Sequence, residues 1–140
     1  SRIVWFDAFT SNVDRTARNP NLMVWHRNLY LIDHGAAMYF HHDWANAGEA
    51  CEKPFALIRD HVLLPFATRI AEVDDALAAL LTDAEIERIV ALVPDSWLVD
   101  EPFFDSPAAY RQGYIDYLKR RLRARAAFVQ EAVRAHAAHV

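Results

Sequence analysis

With 140 residues and 54% hydrophobic side chains, the chain is long enough to bury a core of its own, and its 12% aromatic content excludes a disordered polar tail. A formal net charge of −4 argues against a surface that coats nucleic acid or an anionic membrane, and the lone Cys51 excludes an internal disulfide. No apolar run reaches the length of a membrane span, so a single domain in the cytoplasm is expected.

Ile3, Phe6 and Phe9 recur at a spacing of three, which predicts a helix leading up to Asn12. Leu22 to Trp25 and Leu29 to Ile32 are short aromatic and β-branched runs. His26, Arg27 and Asn28 lie between them as a polar turn, so a β-hairpin is expected, with Pro20 keeping helix out of its first strand. Folding back in this way brings Asn19 at the entrance close to Asp33 at the exit.

Downstream the pattern is helical. Phe55, Ile58, Val62, Phe66 and Ile70 form one apolar stripe, with Pro54 in the first turn and Pro65 as a kink. A short helix is expected from Asp74 to Leu81. Thr82 and Glu85 have the spacing of a capping box, which predicts a helix from Asp83 towards Val93, ended by Pro94. A linker from Asp95 to Pro107 leads to a long terminal helix. Ser106 caps it, Pro107 fits its first turn, and Tyr110, Tyr114, Leu118, Leu122, Val129 and Val133 trace its stripe. The predicted fold class is mainly α with a small β-hairpin. Trp5, Trp25, Trp44 and Trp97 are expected to enrich its interior. Lys119, Arg120, Arg121, Arg123 and Arg125 lie mostly off the stripe and read as a solvated face, with docking of an acidic partner as the alternative.

The chemistry concentrates near the start. Asp14, Asn19 and Asp33 are oxygen-bearing side chains at offsets of five and fourteen. Moving a γ-phosphoryl group requires a carboxylate beside the attacking hydroxyl and hard oxygen ligands for the metal that bridges the phosphates. Asp14 suits the first task; Asn19 and Asp33 suit the second, as ligands of Mg²⁺ on ATP. Singly, each of these residues reads as a turn former, and only the three together point to a site. Arg15 and Arg18 within the loop are candidate phosphate or substrate contacts, with an ion pair or a solvated position as the alternative. Asn21 is a reserve metal ligand. His34, His41, His42 and Asp43 are close enough in sequence to raise a transition-metal site, although their spacing fits no helical ligand pair, and structural or substrate-facing histidines are favoured. His26 and His61 read as solvated or core-edge residues.

The run Asn12-Val13-Asp14-Arg15-Thr16-Ala17-Arg18-Asn19, followed by Leu31-Ile32-Asp33-His34-Gly35, resembles the catalytic and metal-binding loops of the protein-kinase-like superfamily, and within it the HipA-like kinases most closely. The resemblance is specific over the first forty or so residues and general thereafter. It implies that Asp14 matches the catalytic aspartate, Asn19 the metal-binding asparagine and Asp33 the aspartate of the Asp-Phe-Gly motif. Thr16 departs from the histidine that relatives carry, and His34 from the phenylalanine. Kinases clamp ATP with a Gly-rich loop and a lysine that precede the catalytic loop, whereas Gly35, Gly48 and Gly113 form no Gly-x-Gly here. The resemblance therefore implies a C-terminal catalytic lobe whose reading frame continues upstream into an N-terminal nucleotide-clamping lobe, inactive by itself. The acceptor is expected to be a hydroxyl, on protein Ser or Thr or on a small molecule. A non-catalytic helical interaction module retaining the motif by descent is the alternative.

Overall fold

The computed structural model describes residues 1–139. Helix α1 (Arg2–Phe9) runs through the core: Val4, Trp5, Ala8 and Phe9 are buried, and Trp5 stacks on Phe9 at 5.6 Å while meeting Phe128 edge-on at 5.5 Å. Such aromatic pairs add about 0.5–1.5 kcal/mol to the burial of their area. The buried face differs from the expected one. Phe6 is 38% exposed and Asp7 is fully buried, because α1 is enclosed by helices α3 (Ile70–Leu80) and α6 (Ala126–Ala137) and Asp7 serves a polar cluster below them.

Strands β1 (Leu22–Trp25) and β2 (Asn28–Leu31) form the expected antiparallel hairpin, in the register Leu22 with Leu31 and Trp25 with Asn28. Its turn is shorter than expected. Asn28 belongs to β2, and the two turn residues His26 and Arg27 take φ of 47° and 64°, the left-handed pair that matches the twist of a two-residue hairpin. The ribbon stands out from the body, with Val24 and Trp25 mostly exposed.

The predicted helix over residues 55–70 does not form. The stretch is two short 3-10 turns, Ala56–Asp60 and Leu64–Phe66, separated by an extended His61. Tertiary bonds interrupt it: the Val62 N–H donates to the Arg15 carbonyl at 2.9 Å, His61 bridges to Thr16, and Pro65 has no N–H to continue a helix. Helix α3 accordingly begins at Ile70, four residues before the expected start. Helix α2 (Trp44–Ala50) follows another 3-10 turn, Tyr39–His42.

Helix α4 (Asp83–Val90) is capped by Thr82, whose hydroxyl accepts from the Glu85 N–H at 3.2 Å. The reciprocal half of the box is missing because the Glu85 carboxylate pairs with Arg88. Ser106 caps α5 (Pro107–Arg123) in the same way, accepting from the Ala109 N–H. The expected single terminal helix is in fact α5 and α6, divided at Ala124–Arg125, where Arg125 ties the junction to Asp74 and Asp75 of α3. The division re-aims the second half, so Phe128, Val129, Ala132 and Ala135 are buried and Val133 is 40% exposed.

The basic cluster is not a free face. Lys119 pairs with Glu87, Arg120 with Glu52, and Arg123 with Asp83, while Arg121 is buried. Arg121 donates to the carbonyls of Ala8, Phe9, Ala50, Cys51 and Lys53, so its charge is met by the negative ends of α1 and α2 instead of a carboxylate. Trp5 and Trp44 are interior as expected, but Trp25 and Trp97 are exposed. Cys51 is buried and free. Among the described residues, no helix is long and apolar enough to cross a membrane.

Candidate active site

Outside the hairpin turn, four non-glycine residues bend the chain in the left-handed region between α1 and the 3-10 turn at Tyr39: Ser11, Asn21, Asp33 and Met38. Asn and Asp tolerate that region best, which is a local reason for those residue types at positions 21 and 33. The segments before Asp14 and after Asp33 are bonded together. The Val13 N–H donates to the Ala36 carbonyl at 3.2 Å, and the Met38 N–H donates to the Thr10 carbonyl at 2.6 Å. Thr16 and Asn19 exchange backbone hydrogen bonds of 3.1 and 3.2 Å, closing the loop between them into a tight tip.

Three of the polar side chains converge. The Asn19 amide nitrogen donates to Asp14 Oδ2 at 2.7 Å, and the Asn21 amide donates to the same oxygen at 3.4 Å and to the Asp33 carbonyl at 3.4 Å. Asp14 itself is oriented by its own N–H, which donates to Asn12 Oδ1. Since Asn19 uses its nitrogen on Asp14, its carbonyl oxygen is left open as a donor atom. The exposed Asp33 carboxylate receives only a long 3.4 Å bond from the Gly35 N–H among the described residues. An amide oxygen and a carboxylate are the ligand types that Mg²⁺ takes, and here it is the Asp33 backbone, through Asn21, that is tied to Asp14. The hairpin argument expected Asn19 and Asp33 to be neighbours, and no hydrogen bond joins the two among the described residues. Asn21, read from the sequence only as a reserve metal ligand, instead ties the Asp14 carboxylate to the Asp33 backbone.

Arg15, expected as a possible phosphate contact, points inward. It is 1% exposed; Nε donates to Asp7 Oδ2 at 2.5 Å, and Nη1 donates to the Asn21 carbonyl. Asp7 also accepts from His61 Nε2 at 2.9 Å and from the Asn12 amide at 3.0 Å. Because His61 Nδ1 accepts from the Leu63 N–H, its proton sits on Nε2 and faces Asp7. Burial pushes the Asp7 carboxyl up, but the hydrogen bonds from His61 and Arg15, the Arg15 charge and the Asn12 amide outweigh it, and the net result lies below the usual carboxylate range. This cluster fixes both ends of the loop: Asn12 before Asp14, and Asn21 after Asn19. Sequence reasoning missed Asp7 and placed His61 at the core edge, whereas His61 is buried.

Arg18 is exposed at the loop tip. His34 is exposed, with Nδ1 3.5 Å from Arg15 and its ring edge-on to Phe6 at 6.4 Å. It stands apart from His41 and His42, whose Nε2 atoms are 3.2 Å from each other, while His41 Nδ1 meets the Tyr114 hydroxyl. Burial, then the neighbouring His42, pulls the His41 imidazole below its usual range, with Glu101 opposing. Asp43 accepts from Asn46 instead. No group of three or more His, Cys, Asp or Glu side chains that would hold a metal forms among the described residues, so the transition-metal reading of His34, His41, His42 and Asp43 gains nothing.

A family model described as HipA-like kinase matches residues 1–130. The chain belongs to the HipA-like kinase family. No curated protein and no solved structure matches it. Membership carries a kinase-type function in general, and the mainly helical architecture with one small hairpin agrees with it. The family match extends well past the loops that suggested it, into α6.

Proposed function

We propose that this HipA-like kinase chain supplies the catalytic loop and metal-binding residues of an ATP- and Mg²⁺-dependent phosphotransferase acting on a hydroxyl, with protein Ser or Thr as the expected acceptor. The observation that carries the reading is the convergence of the Asn19 and Asn21 amides on one oxygen of Asp14. Those two bonds hold the carboxylate in one orientation and keep its charge from reorganising, which suits a group that must align a hydroxyl and take its proton. Asn19, through its carbonyl oxygen, and Asp33, through its carboxylate, are the residues that would hold Mg²⁺. Held by those residues with ATP, such a cation would supply charge neutralisation on the transferring phosphoryl group. In the step itself, the acceptor oxygen bonds to the γ-phosphorus as the bond to the ADP oxygen breaks, and the hydroxyl proton passes to Asp14.

Both lysines of the chain, Lys53 and Lys119, follow the catalytic loop, whereas a kinase supplies the lysine on its phosphates from before that loop. We therefore assign the clamp on the nucleotide to an N-terminal lobe outside these residues. The exposed apolar ribbon at Met23, Val24, Trp25 and Leu29 supports such a covering partner beside the loop. The chain alone is then inactive, and a cytoplasmic setting supplies its ATP. In the full-length protein, Asp33→Asn should abolish Mg²⁺-dependent ATP binding, and Asp14→Ala should slow phosphoryl transfer by about 10²–10⁴ with the fold intact by circular dichroism. Wild-type turnover in the Asp14 variant would remove it from the mechanism. A folded full-length protein that neither binds nor turns over ATP would favour the non-catalytic module.

A further inference from the structure

Most guanidinium groups in this chain are bound to carboxylates or carbonyls within it. Arg18 makes no ion pair among the described residues, and Arg59 meets the carboxylate of its sequence neighbour Asp60 at 3.6 Å, beyond hydrogen-bond length, with Glu131 near enough to feel its charge. Arg18 and Arg59 are 41 residues apart in sequence and yet line the same cleft, of about 670 Å³. The cleft adjoins the catalytic loop: Thr16, Ala17 and Arg18, three of the four residues between Asp14 and Asn19, form part of its wall. Asp60, His61, Val62 and Pro65 also line it, His61 and Val62 being bonded directly to the loop.

Its walls are fixed before any ligand arrives. Thr16 and Asn19 close the loop tip on itself, the Val62 N–H is bonded to the Arg15 carbonyl, and His61 is held on Asp7. His139 Nε2 donates to the Arg59 carbonyl at 3.1 Å, which pins the chain at the base of that side chain. Arg18 has no acid partner among the described residues and Arg59 only a loose, exposed pair with Asp60, so the two cations together favour an anionic ligand at the cleft. Asp60 opposes a compact free phosphate but suits a ligand that also brings N–H donors. Val62 and Pro65 add apolar surface for a chain to lie on.

We propose that this cleft seats the phosphoryl acceptor as a peptide segment in which the reacting Ser or Thr is flanked by acidic side chains, whose carboxylates meet Arg18 and Arg59. The assignment rests on the phosphotransferase reading, since it is Asp14 that gives the neighbouring cleft a hydroxyl to align. Arg18 and Arg59 are then specificity residues, selecting acidic sequences and rejecting basic ones by like charge.

The test uses fluorescein-labelled peptides of six to eight residues, each with one central serine flanked by glutamates or, in the control, by glutamines. Binding to the full-length protein is read by polarisation at low and high salt. The acidic peptide should bind about tenfold or more tighter than the neutral one, the difference should shrink with salt, and Arg18→Gln/Arg59→Gln should remove it. Arg18→Lys/Arg59→Lys should keep most of it, which separates lost charge from lost fold. Equal binding of the two peptides, no binding of either, or an acidic preference that survives in the glutamine variant overturns the proposal. So does competition by inorganic phosphate at lower concentration than the acidic peptide, which would assign the cleft to a small phosphorylated acceptor. MgATP binding by the wild-type protein is measured alongside. Its absence would sink the kinase reading whatever the peptides do, while its presence with indifferent peptides would sink only the assignment of the cleft.

Discussion

Replacing Asp7 by asparagine removes one charge from the interior and reverses one hydrogen-bonding role. All of the contacts to the Asp7 carboxylate come from donors: Arg15 Nε at 2.5 Å and Nη2 at 3.3 Å, His61 Nε2 at 2.9 Å, and the Asn12 amide at 3.0 Å. An asparagine must turn its NH₂ towards one of them. His61 cannot adapt by moving its proton, because Nδ1 is already accepting from the Leu63 N–H. Arg15, 1% exposed, would keep its charge with no carboxylate to meet it. Breaking a buried pair in this way costs about 3–5 kcal/mol. Against a total stability of about 5–15 kcal/mol, that lowers the urea midpoint by about 2 M and the melting temperature by about 10 °C. Adding Arg15→Met should recover part of the loss, with a coupling of about 0.5–3 kcal/mol, because it removes the unmatched charge. The pH dependence has a definite sign. The Asp7 carboxyl lies below its ordinary value of 3.8 in the fold, so its stabilisation is fully present above that pH and drains away as pH falls through the depressed folded value. Asp7→Asn should lack that component of acid unfolding. A loss under about 1 kcal/mol at pH 7, or an unchanged acid limb, would refute the picture of an Asp7-centred cluster holding the loop.

The same geometry makes other expectations concrete. Asn21→Ala should lower phosphoryl transfer by the full-length protein about tenfold or more while leaving its melting temperature within a few degrees, because one amide links Asp14 to the Asp33 backbone; unchanged turnover would show that Asn19 suffices to orient Asp14. Gly113→Ala in α5 should destabilise by about 1–3 kcal/mol despite the better helix propensity of alanine, since the added Cβ would lie 2.5 Å from Phe104 Cζ and push that ring out of its stack with Tyr110; a gain in melting temperature would contradict this. Arg121→Met should cost about 3 kcal/mol or more in urea unfolding, because five carbonyls at the ends of α1 and α2 lose their donor, and Arg121→Lys should not restore it, since an ammonium cannot span them.

What the sequence determined is what neighbouring residues decide among themselves. Thr82 and Ser106 start α4 and α5 because a hydroxyl reaches an N–H three residues on, whatever the rest of the chain does. Short aromatic and β-branched runs made the hairpin, while the tight turn closed between Thr16 and Asn19 brought Asn19 to Asp14. Family membership was legible too, through the Asp-Arg and Asp-His-Gly steps of these loops. Contacts between distant segments decided the rest. Residues 55–70 carry a helical stripe, yet the Arg15 carbonyl and the Asp7 carboxylate capture Val62 and His61 and leave only 3-10 turns. The basic run on α5 looked solvated because its acids, Glu52, Asp83 and Glu87, lie elsewhere in the chain. Arg121 looked like part of that run until two helix ends arrived to neutralise it. Periodicity reports which residues share a face, but the free energy of burying a charge depends on which opposite charge or dipole tertiary folding brings within about 3 Å, and no local pattern encodes that partner.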